Sequence, residues 1–160
     1  MDNVLKEAIL NGLYDKDKNN GNEFLSPQLV NNDKENKIWF TLRQELLSAS
    51  SFTWAVAFIS ENMLVPFKLV MSELAKKGIS GTLITGTYLG FNSPKVFKEL
   101  MKIPNLKVRL SEEAGFHAKG YIFNHEYYQT ILIGSANFTR SALLKNCEWG
   151  LKVTSHENGH

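Results

Sequence analysis

A cluster of polar side chains in the last third of the sequence could carry out phosphate chemistry. His117 and Lys119 stand two residues apart in "GFHAKGYIF", and Ser135 and Asn137 stand two residues apart in "ILIGSAN". Alternate side chains of a β-strand lie on one face, about 7 Å apart, so each pair is expected to share a face. If the two strands pair, an imidazole, an ammonium, a hydroxyl and an amide meet at one edge of a sheet.

This set of groups suits a phosphodiester. An ammonium and an amide can donate hydrogen bonds to the non-bridging phosphate oxygens, and a neutral imidazole can attack phosphorus. Gly134 permits a tight or unusual backbone just before Ser135. Taken singly, a serine or asparagine after a glycine usually caps a helix, and an isolated histidine is usually structural. The four residues in this order favour a functional site.

The elements that must position these groups alternate between strands and helices. The apolar run "FTWAVAFIS" (52–60) predicts a central strand covered on both faces. The other predicted elements are a helix at 62–78, a strand at 81–88, a helix at 93–102 capped by Ser93, a strand at 105–110, hairpin strands at 117–123 and 128–134, a short helix at 139–146 and a last strand at 147–153. This order predicts an α/β fold, a mixed sheet flanked by helices.

The N-terminal part of the chain is polar and contains fewer predicted elements. Residues 3–13 predict a short amphipathic helix, followed by a loose connection, so residues 1–35 are assigned to this segment. Asn31 or Asp33 is expected to cap the next helix.

One domain at 36–154 follows, and a polar tail occupies 155–160; we expect the whole to be a fragment of a larger protein. The three tryptophans, Trp39, Trp54 and Trp149, are expected in the core.

Composition excludes several classes of protein. The hydrophobic fraction of 43% and the charged fraction of 21% are those of a soluble globular domain, and a net charge of +2 is too small to identify a partner. The single cysteine, Cys147, excludes an intrachain disulfide, and without a Cys/His cluster no metal or cofactor is expected. The polar N-terminus and the lack of a long apolar run predict a cytoplasmic protein without a membrane partner.

The phrase "HAKGYIF…GSANFT" resembles the HKD motif of the phospholipase D superfamily. The following "RSALLKNCEW" is similar to the tail of that motif in the small bacterial endonucleases of the superfamily. More narrowly, "TGTYLGFNSPKVFKEL" and "GFHAKGYIF" resemble the N-terminal nuclease-like domain of bacterial DEAD/DEAH-box helicase and restriction-type proteins. The motif's usual aspartate falls on Asn124, which weakens the case for activity without abolishing it.

The resemblance implies a phospholipase D-like sandwich that hydrolyses phosphodiester bonds in DNA without a metal ion, through a phosphohistidine. His117 would be the nucleophile and Glu148 would orient its ring. Lys119, Asn137 and Ser135 would stabilise the transition-state charge. The mechanism needs a second histidine, and the chain holds one half-site, so we expect a homodimer with a composite active site.

Five further residues are expected at the substrate, each with a structural alternative. Gly134 belongs to the motif itself. Thr85, Thr87 and Tyr88 follow a strand at the expected site edge, where they either touch the substrate or form a turn. Arg140, with Lys145, either contacts a nucleic-acid backbone or lies on a solvated helix face.

Two other functions stay open at this stage. One is a catalytically weakened nucleic-acid-binding and dimerisation module, and the other is a phospholipase. The chain has no Walker-type GxxxxGK[ST] motif, so any ATP-dependent helicase activity would come from other domains of a restriction or repair protein.

Overall fold

A seven-stranded mixed sheet organises the molecule. The computed structural model describes residues 26–87 and 92–156. The strands are β1 (Gln28–Asn31), β2 (Ser51–Val56), β3 (Ser80–Gly86), β4 (Leu106–Ser111), β5 (Lys119–Asn124), β6 (Tyr128–Gly134) and β7 (Trp149–His156). The helices are α1 (Ile38–Ser48), α2 (Glu61–Lys76), α3 (Pro94–Leu100) and α4 (Arg140–Leu144). The predicted fold class, α/β with a mixed sheet, is confirmed.

The order of the strands across the sheet is β1-β7-β6-β5-β2-β3-β4. Helices α2 and α3 connect β2, β3 and β4, which are therefore parallel, while β5, β6, β7 and β1 pair antiparallel. Because β5 runs against β2, its first residue, Lys119, pairs with Val56 at the end of β2. The ends of β2 and β3 thus meet the start of β5 at one edge of the sheet.

Trp54 stands at the centre of the core, between the sheet and the helices. Its ring lies 5.1 Å from the ring of Tyr121 on β5, 5.3 Å from that of Phe67 on α2 and 5.3 Å from that of Phe138. Aromatic pairs at such distances contribute about 0.5–1.5 kcal/mol each beyond the burial of their area. The strands that carry the site are therefore fixed by one aromatic cluster beneath it.

The opposite face of the sheet is only partly covered in the part of the chain that the structure describes. Thr53 and Ala55 on β2 are half-buried, which differs from the expected coverage of this strand on both faces. Ile133 and Trp149 are 47% and 62% exposed on this side. The prediction that Trp149 is a core residue is wrong, because its position in β7, opposite Asn31, turns it away from the helices.

Caps fix the ends of the helices. The side chains of Ser93 and Thr139 accept hydrogen bonds from backbone N–H groups in the first turns of α3 and α4, as predicted for Ser93. At α1 the predicted caps are wrong. Asn32 Oδ1 accepts from the backbone N–H of Ile38 at 3.0 Å, while Asp33 instead accepts from the N–H groups of the turn that follows it.

Two terminal segments differ from the sequence-based expectation. Strand β1 lies inside the predicted loose connection and pairs with β7. Strand β7 begins later than expected and continues through His156, into the predicted polar tail. The predicted helix at 3–13 lies outside the described residues.

A buried polar network lies at the far end of β5. The ring of His125 stacks on Tyr128 at 4.2 Å, with Nδ1 3.1 Å from the carbonyl oxygen of Ser48 and Nε2 3.1 Å from a carboxylate oxygen of Glu45. The other oxygen of Glu45 accepts from Lys152 Nζ at 3.0 Å. The network joins α1, the β5–β6 turn and β7.

Candidate active site

The candidate site lies where β2 ends and β5 begins. The backbone N–H of Ala57 donates to the carbonyl of Ala118 at 2.9 Å, which extends the pairing of the two segments beyond the strands. The ring of Phe58 then lies 5.4 Å from the ring of His117, edge to face. The sheet thus holds the backbone that carries the histidine.

His117 and Lys119 are in direct contact. Lys119 Nζ lies 2.9 Å from His117 Nδ1, 3.2 Å from Nε2 and 2.9 Å from the carbonyl oxygen of His117. Because an ammonium group only donates hydrogen bonds, a ring nitrogen that accepts from it is unprotonated, and its lone pair is engaged by that bond. The His117 side chain is exposed, so this nitrogen is accessible to a substrate.

The surroundings of Lys119 change the pKa and the hydration of its ammonium group. Burial lowers the pKa of Lys119 below the ordinary lysine value, and the carboxylate of Glu148 acts in the opposite direction. The ring centroid of Phe58 lies 6.0 Å from Nζ. A partly desolvated ammonium interacts more strongly with an oxyanion than a fully hydrated one does.

Ser135, which directly follows β6, and Glu148, which directly precedes the neighbouring strand β7, form a second pair. Ser135 Oγ donates a hydrogen bond to a carboxylate oxygen of Glu148, and the other oxygen accepts from Asn146 Nδ2 at 3.4 Å. No hydrogen bond joins Glu148 to His117 among the described residues. The expected role of Glu148 in orienting the His117 ring stays a prediction; its charge acts on the His117–Lys119 pair by favouring the protonated form of Lys119 and so raising the Lys119 pKa.

Asn137 faces the end of β2. Its side-chain oxygen accepts from the backbone N–H of Phe58 at 3.3 Å, while its amide nitrogen donates to no described residue. This arrangement orients the amide beside Phe58, whose ring contacts His117. The amide nitrogen is therefore available as a donor near the His117–Lys119 pair.

Asn92 is a positioning residue that the sequence reading missed. This buried side chain donates to the carbonyls of Ala57 at 2.8 Å and Gly86 at 2.9 Å, and its oxygen accepts from the N–H of Ile59 at 2.8 Å. It ties the segment after β3 to the segment after β2 that carries Phe58. Its place before the Ser93 cap makes it resemble a turn residue, so nothing local in the sequence reveals this role.

Thr85 does not contact a substrate from its position. It is fully buried, and its hydroxyl donates to the carbonyl of Ala57 at 3.3 Å and accepts from Asn92 at 3.1 Å. The prediction that it binds substrate is wrong, because the alternation of β3 turns it toward the helices.

The other four expected substrate contacts have different surroundings. Thr87 is exposed just after β3, and Arg140 is exposed at the start of α4. Tyr88 lies outside the described residues. A Cβ at Gly134 would stand 2.2 Å from the carbonyl oxygen of Trp149, so this glycine permits the close approach of β6 to β7.

Asn124, at the position of the motif's aspartate, lies at the other end of β5 from Lys119, about 17 Å away along the strand. Its amide nitrogen donates to Ser51 Oγ at 2.8 Å, and its oxygen accepts from Gln129 Nε2 at 2.8 Å. The side chain therefore joins the ends of three strands.

One protein-family model matches most of the chain. The model of the family described as "Cardiolipin synthase, PLD-like domain" matches residues 42–158, which is most of the chain. The chain belongs to this PLD-like family. The match covers the whole set of candidate residues, from Phe58 to Glu148. No curated protein sequence matches the chain.

Solved structures share the fold of this PLD-like chain. NucT from Helicobacter pylori is 22% identical with a TM-score of 0.63, over 81% of this chain and 84% of that one. Nuc from Salmonella typhimurium, a phospholipase D family member, is 20% identical with a TM-score of 0.57, over 81% and 83%. Phosphatidylserine synthase from Haemophilus influenzae is 16% identical with a TM-score of 0.58, over 83% of this chain but 35% of that one.

The described residues of this PLD-like chain contain neither a membrane-spanning helix nor a cluster of metal ligands. No helix among them is long and apolar enough to cross a membrane. Among these same residues, His, Cys, Asp and Glu side chains form no group of three or more that could hold a metal ion.

Proposed function

We propose that this PLD-like chain hydrolyses phosphodiester bonds in DNA without a metal ion, through a phosphohistidine on His117. The observation that carries the proposal is the exposed His117 ring with its lone pair against the Lys119 ammonium. The amide nitrogen of Asn137 supplies a further donor beside this pair, and Ser135, whose hydroxyl donates to Glu148, holds that carboxylate near Lys119. These groups together match the charge that develops on a phosphoryl group under attack.

The first chemical step forms a bond between a ring nitrogen of His117 and phosphorus, and breaks the bond from phosphorus to the leaving oxygen. Lys119 moves its hydrogen bonds from the ring to the phosphate oxygens, which frees the lone pair for attack. The leaving oxygen takes a proton from a second imidazole. Water then attacks phosphorus, gives its proton to that second imidazole, and breaks the N–P bond to release a phosphomonoester.

The second imidazole comes from another copy of the chain. The sequence contains a single His-x-Lys, and His125 is held in the buried network at the far end of β5. A two-fold homodimer places two copies of the same surface face to face and so supplies two His117 rings to one site. Mixing His117→Ala chains with wild-type chains is expected to lower activity more than dilution does.

The surroundings of Asn124 favour an active enzyme over a binding-only module. Its amide is engaged by Ser51 and Gln129, away from the reacting groups, so asparagine meets the structural needs of this position. A catalytic centre that lacks a carboxylate there still retains all the groups that touch the phosphate in this proposal.

We further propose that this nuclease works as a module of a larger helicase or restriction protein in the cytoplasm. The support is the resemblance of "TGTYLGFNSPKVFKEL" and "GFHAKGYIF" to such N-terminal domains. An antibody against the described part of the chain should detect a native polypeptide much larger than 160 residues in cell extract. Detection of a native polypeptide of this length alone would contradict the larger assembly.

The test of the chemistry uses DNA radiolabelled at internal phosphates, in excess EDTA. A rapid quench in alkaline SDS should leave label on the wild-type chain and none on His117→Ala, and later acid treatment should release it, as expected of an N–P bond. Plasmid, single strands and phosphatidylcholine vesicles are compared as substrates. Cleavage that requires added magnesium, or vesicle hydrolysis without DNA cleavage, would contradict the proposal.

A further inference from the structure

A second cluster of phosphate-binding groups lies beside the candidate active site. A pocket of about 180 Å³ is lined by Ser60, Asn62, Arg140, Ser141 and Lys145, and is called the basic pocket below. It presents a guanidinium, an ammonium, two hydroxyls and an amide. No carboxylate of the described residues lines it. This composition suits an oxyanion.

The charges of the basic pocket are not neutralised by the part of the chain that the structure describes. Neither Arg140 nor Lys145 forms an ion pair with a described residue. The carboxylate of Glu61, between Ser60 and Asn62, is engaged by Lys95 at 2.7 Å and by Ser93 Oγ at 3.2 Å. The carboxylate of Glu148, three residues after Lys145, is engaged by Ser135 and by Asn146. Two positive charges therefore remain available for a ligand.

Hydrogen bonds hold the neutral groups of the basic pocket in place. Ser60 Oγ accepts from the backbone N–H of Arg140 at 3.0 Å and donates to Asn62 Oδ1 at 2.6 Å. The amide nitrogen of Asn62 donates to no described residue and so remains free for a ligand. Ser60 thus couples the loop before α2 to the start of α4, which keeps the lining residues together without a bound anion.

Two adjacent backbone segments connect the basic pocket to the catalytic groups. Residues 58–60 run beside 137–140, joined by the Ile59–Phe138 bridge and by the N–H of Ser60, which donates to the carbonyl of Phe138 at 3.1 Å. Phe58 contacts His117 at one end, and Ser60 lines the pocket at the other. Phe58 and Ser60 are two residues apart, about 7 Å in an extended chain, so the basic pocket lies on the same surface as the His117 ring.

We propose that the basic pocket binds a backbone phosphate next to the scissile one, so that the protein grips two successive phosphates of a single nucleic-acid strand. The inference rests on the proposed function, because it takes the His117–Lys119 pair as the site of the scissile phosphate. Two phosphate sites at a fixed short spacing select a polymer with repeating phosphates over a lipid or a small ester.

The experiment compares the double variant Arg140→Gln/Lys145→Gln with the control Lys76→Gln/Lys107→Gln. The control removes the same charge at exposed positions; Lys76 ends α2, about 22 Å from its start beside the basic pocket. The substrates are a single-stranded oligonucleotide and bis(p-nitrophenyl) phosphate, which has one phosphate. In the test variant the rise in KM for the oligonucleotide should exceed that for the ester by at least about tenfold, while the control stays at the wild-type value.

Binding is measured separately by fluorescence anisotropy in a His117→Ala background, which prevents cleavage. Loss of the one phosphate contact in the basic pocket should reduce the slope of log K against log salt for a single strand by about 0.7. An unchanged slope, or equal losses in the test and control variants, would overturn the proposal, as would equal losses on the two substrates. Inorganic phosphate is added as a competitor in both assays. Phosphate that inhibits hydrolysis of the ester but does not displace the oligonucleotide would also overturn the proposal.

The binding arm separates this inference from the proposed function. If wild-type protein cleaves neither substrate, the proposed chemistry fails. The basic pocket then survives only if the anisotropy slope still falls in the test variant and not in the control. If cleavage occurs and the salt-dependence slope is unchanged in the test variant, the proposed hydrolysis stands and the proposed phosphate site in the basic pocket is wrong.

Discussion

One histidine precedes strand β5 and another follows it, and the two have opposite surroundings. His117 is exposed and faces an ammonium, which leaves a lone pair on its ring. His125 is buried beneath Tyr128, and both of its ring nitrogens face oxygen acceptors. A nucleophile needs a free lone pair and access to substrate. Of these two histidines, His117 is the accessible one, and its lone pair becomes free when Lys119 moves to the phosphate, so contacts rather than residue type separate the reactive histidine from the structural one.

The two ends of β5 also differ in what their polar groups leave unsatisfied. At the His117 end, the amide nitrogen of Asn137 lacks a described partner, and the hydrogen bonds of Lys119 to described residues all go to His117. At the other end, His125, Glu45 and Lys152 satisfy one another. Unsatisfied donors favour a ligand, whereas a closed network favours a fixed backbone.

The largest expected effect is that of His117→Ala. This variant should lose at least about 1,000-fold in the rate of DNA cleavage, because it removes the nucleophile. Its free energy of unfolding in urea should stay within about 0.5 kcal/mol of wild type, since the side chain is exposed. Equal rates of DNA cleavage by the folded variant and the wild type would contradict the assignment of His117 as the nucleophile.

Lys119→Gln should lower kcat by about 100- to 1,000-fold, through loss of charge stabilisation at the phosphoryl group. The pH profile of the wild type gives a sharper readout. Since burial lowers the pKa of Lys119, the ammonium loses its proton, and kcat/KM should fall, at a pH below the ordinary lysine value of about 10.4. The same alkaline fall in the glutamine variant would assign it to another group.

His125→Ala should act on stability and not on chemistry. Removing one partner from a buried charged network costs about 3 kcal/mol, measured as a lower midpoint of urea unfolding. The folded fraction should keep the wild-type kcat. A double-mutant cycle with Glu45→Gln measures the coupling of the pair. Loss of kcat in fully folded His125→Ala would contradict its assignment as structural.

The smallest effect is expected from Asn124→Asp, which restores the residue usual for the motif. The position lies at the far end of β5 and bonds to Ser51 and Gln129, so kcat should change by less than about threefold (0.7 kcal/mol). A tenfold or greater gain in kcat would show that the carboxylate acts on the site over the length of the strand.

Local sequence signals predicted the elements that build the site. The pattern "YQTILIG" predicted the full extent of β6 at Tyr128–Gly134. Ser93 followed by Pro94 predicted the start of α3. The spacing of His117 and Lys119 indicated a shared face about 7 Å apart, whereas the structure brings the two side chains into direct contact. In each case the physical cause acts within a few residues, which is the range that a single sequence can report.

The missed features depend on neighbours that are distant in sequence. Strand β1 is short and mostly exposed, and its formation depends on the edge that β7 offers. Thr85 and Asn92 resemble turn residues, but the fold buries them against the end of β2. Trp149 is apolar enough for the core, and only its register in β7 turns it outward. None of these outcomes can be derived from local pattern or propensity.

Because Trp149 is exposed, its intrinsic fluorescence can report on its surroundings. Trp39 and Trp54 are buried, so a hydrophilic quencher such as iodide should reach one of the three indoles. That indole directly follows Glu148, whose carboxylate bonds to Ser135. Steady-state fluorescence can therefore follow events next to the reacting groups without an attached dye, against the constant emission of two shielded tryptophans.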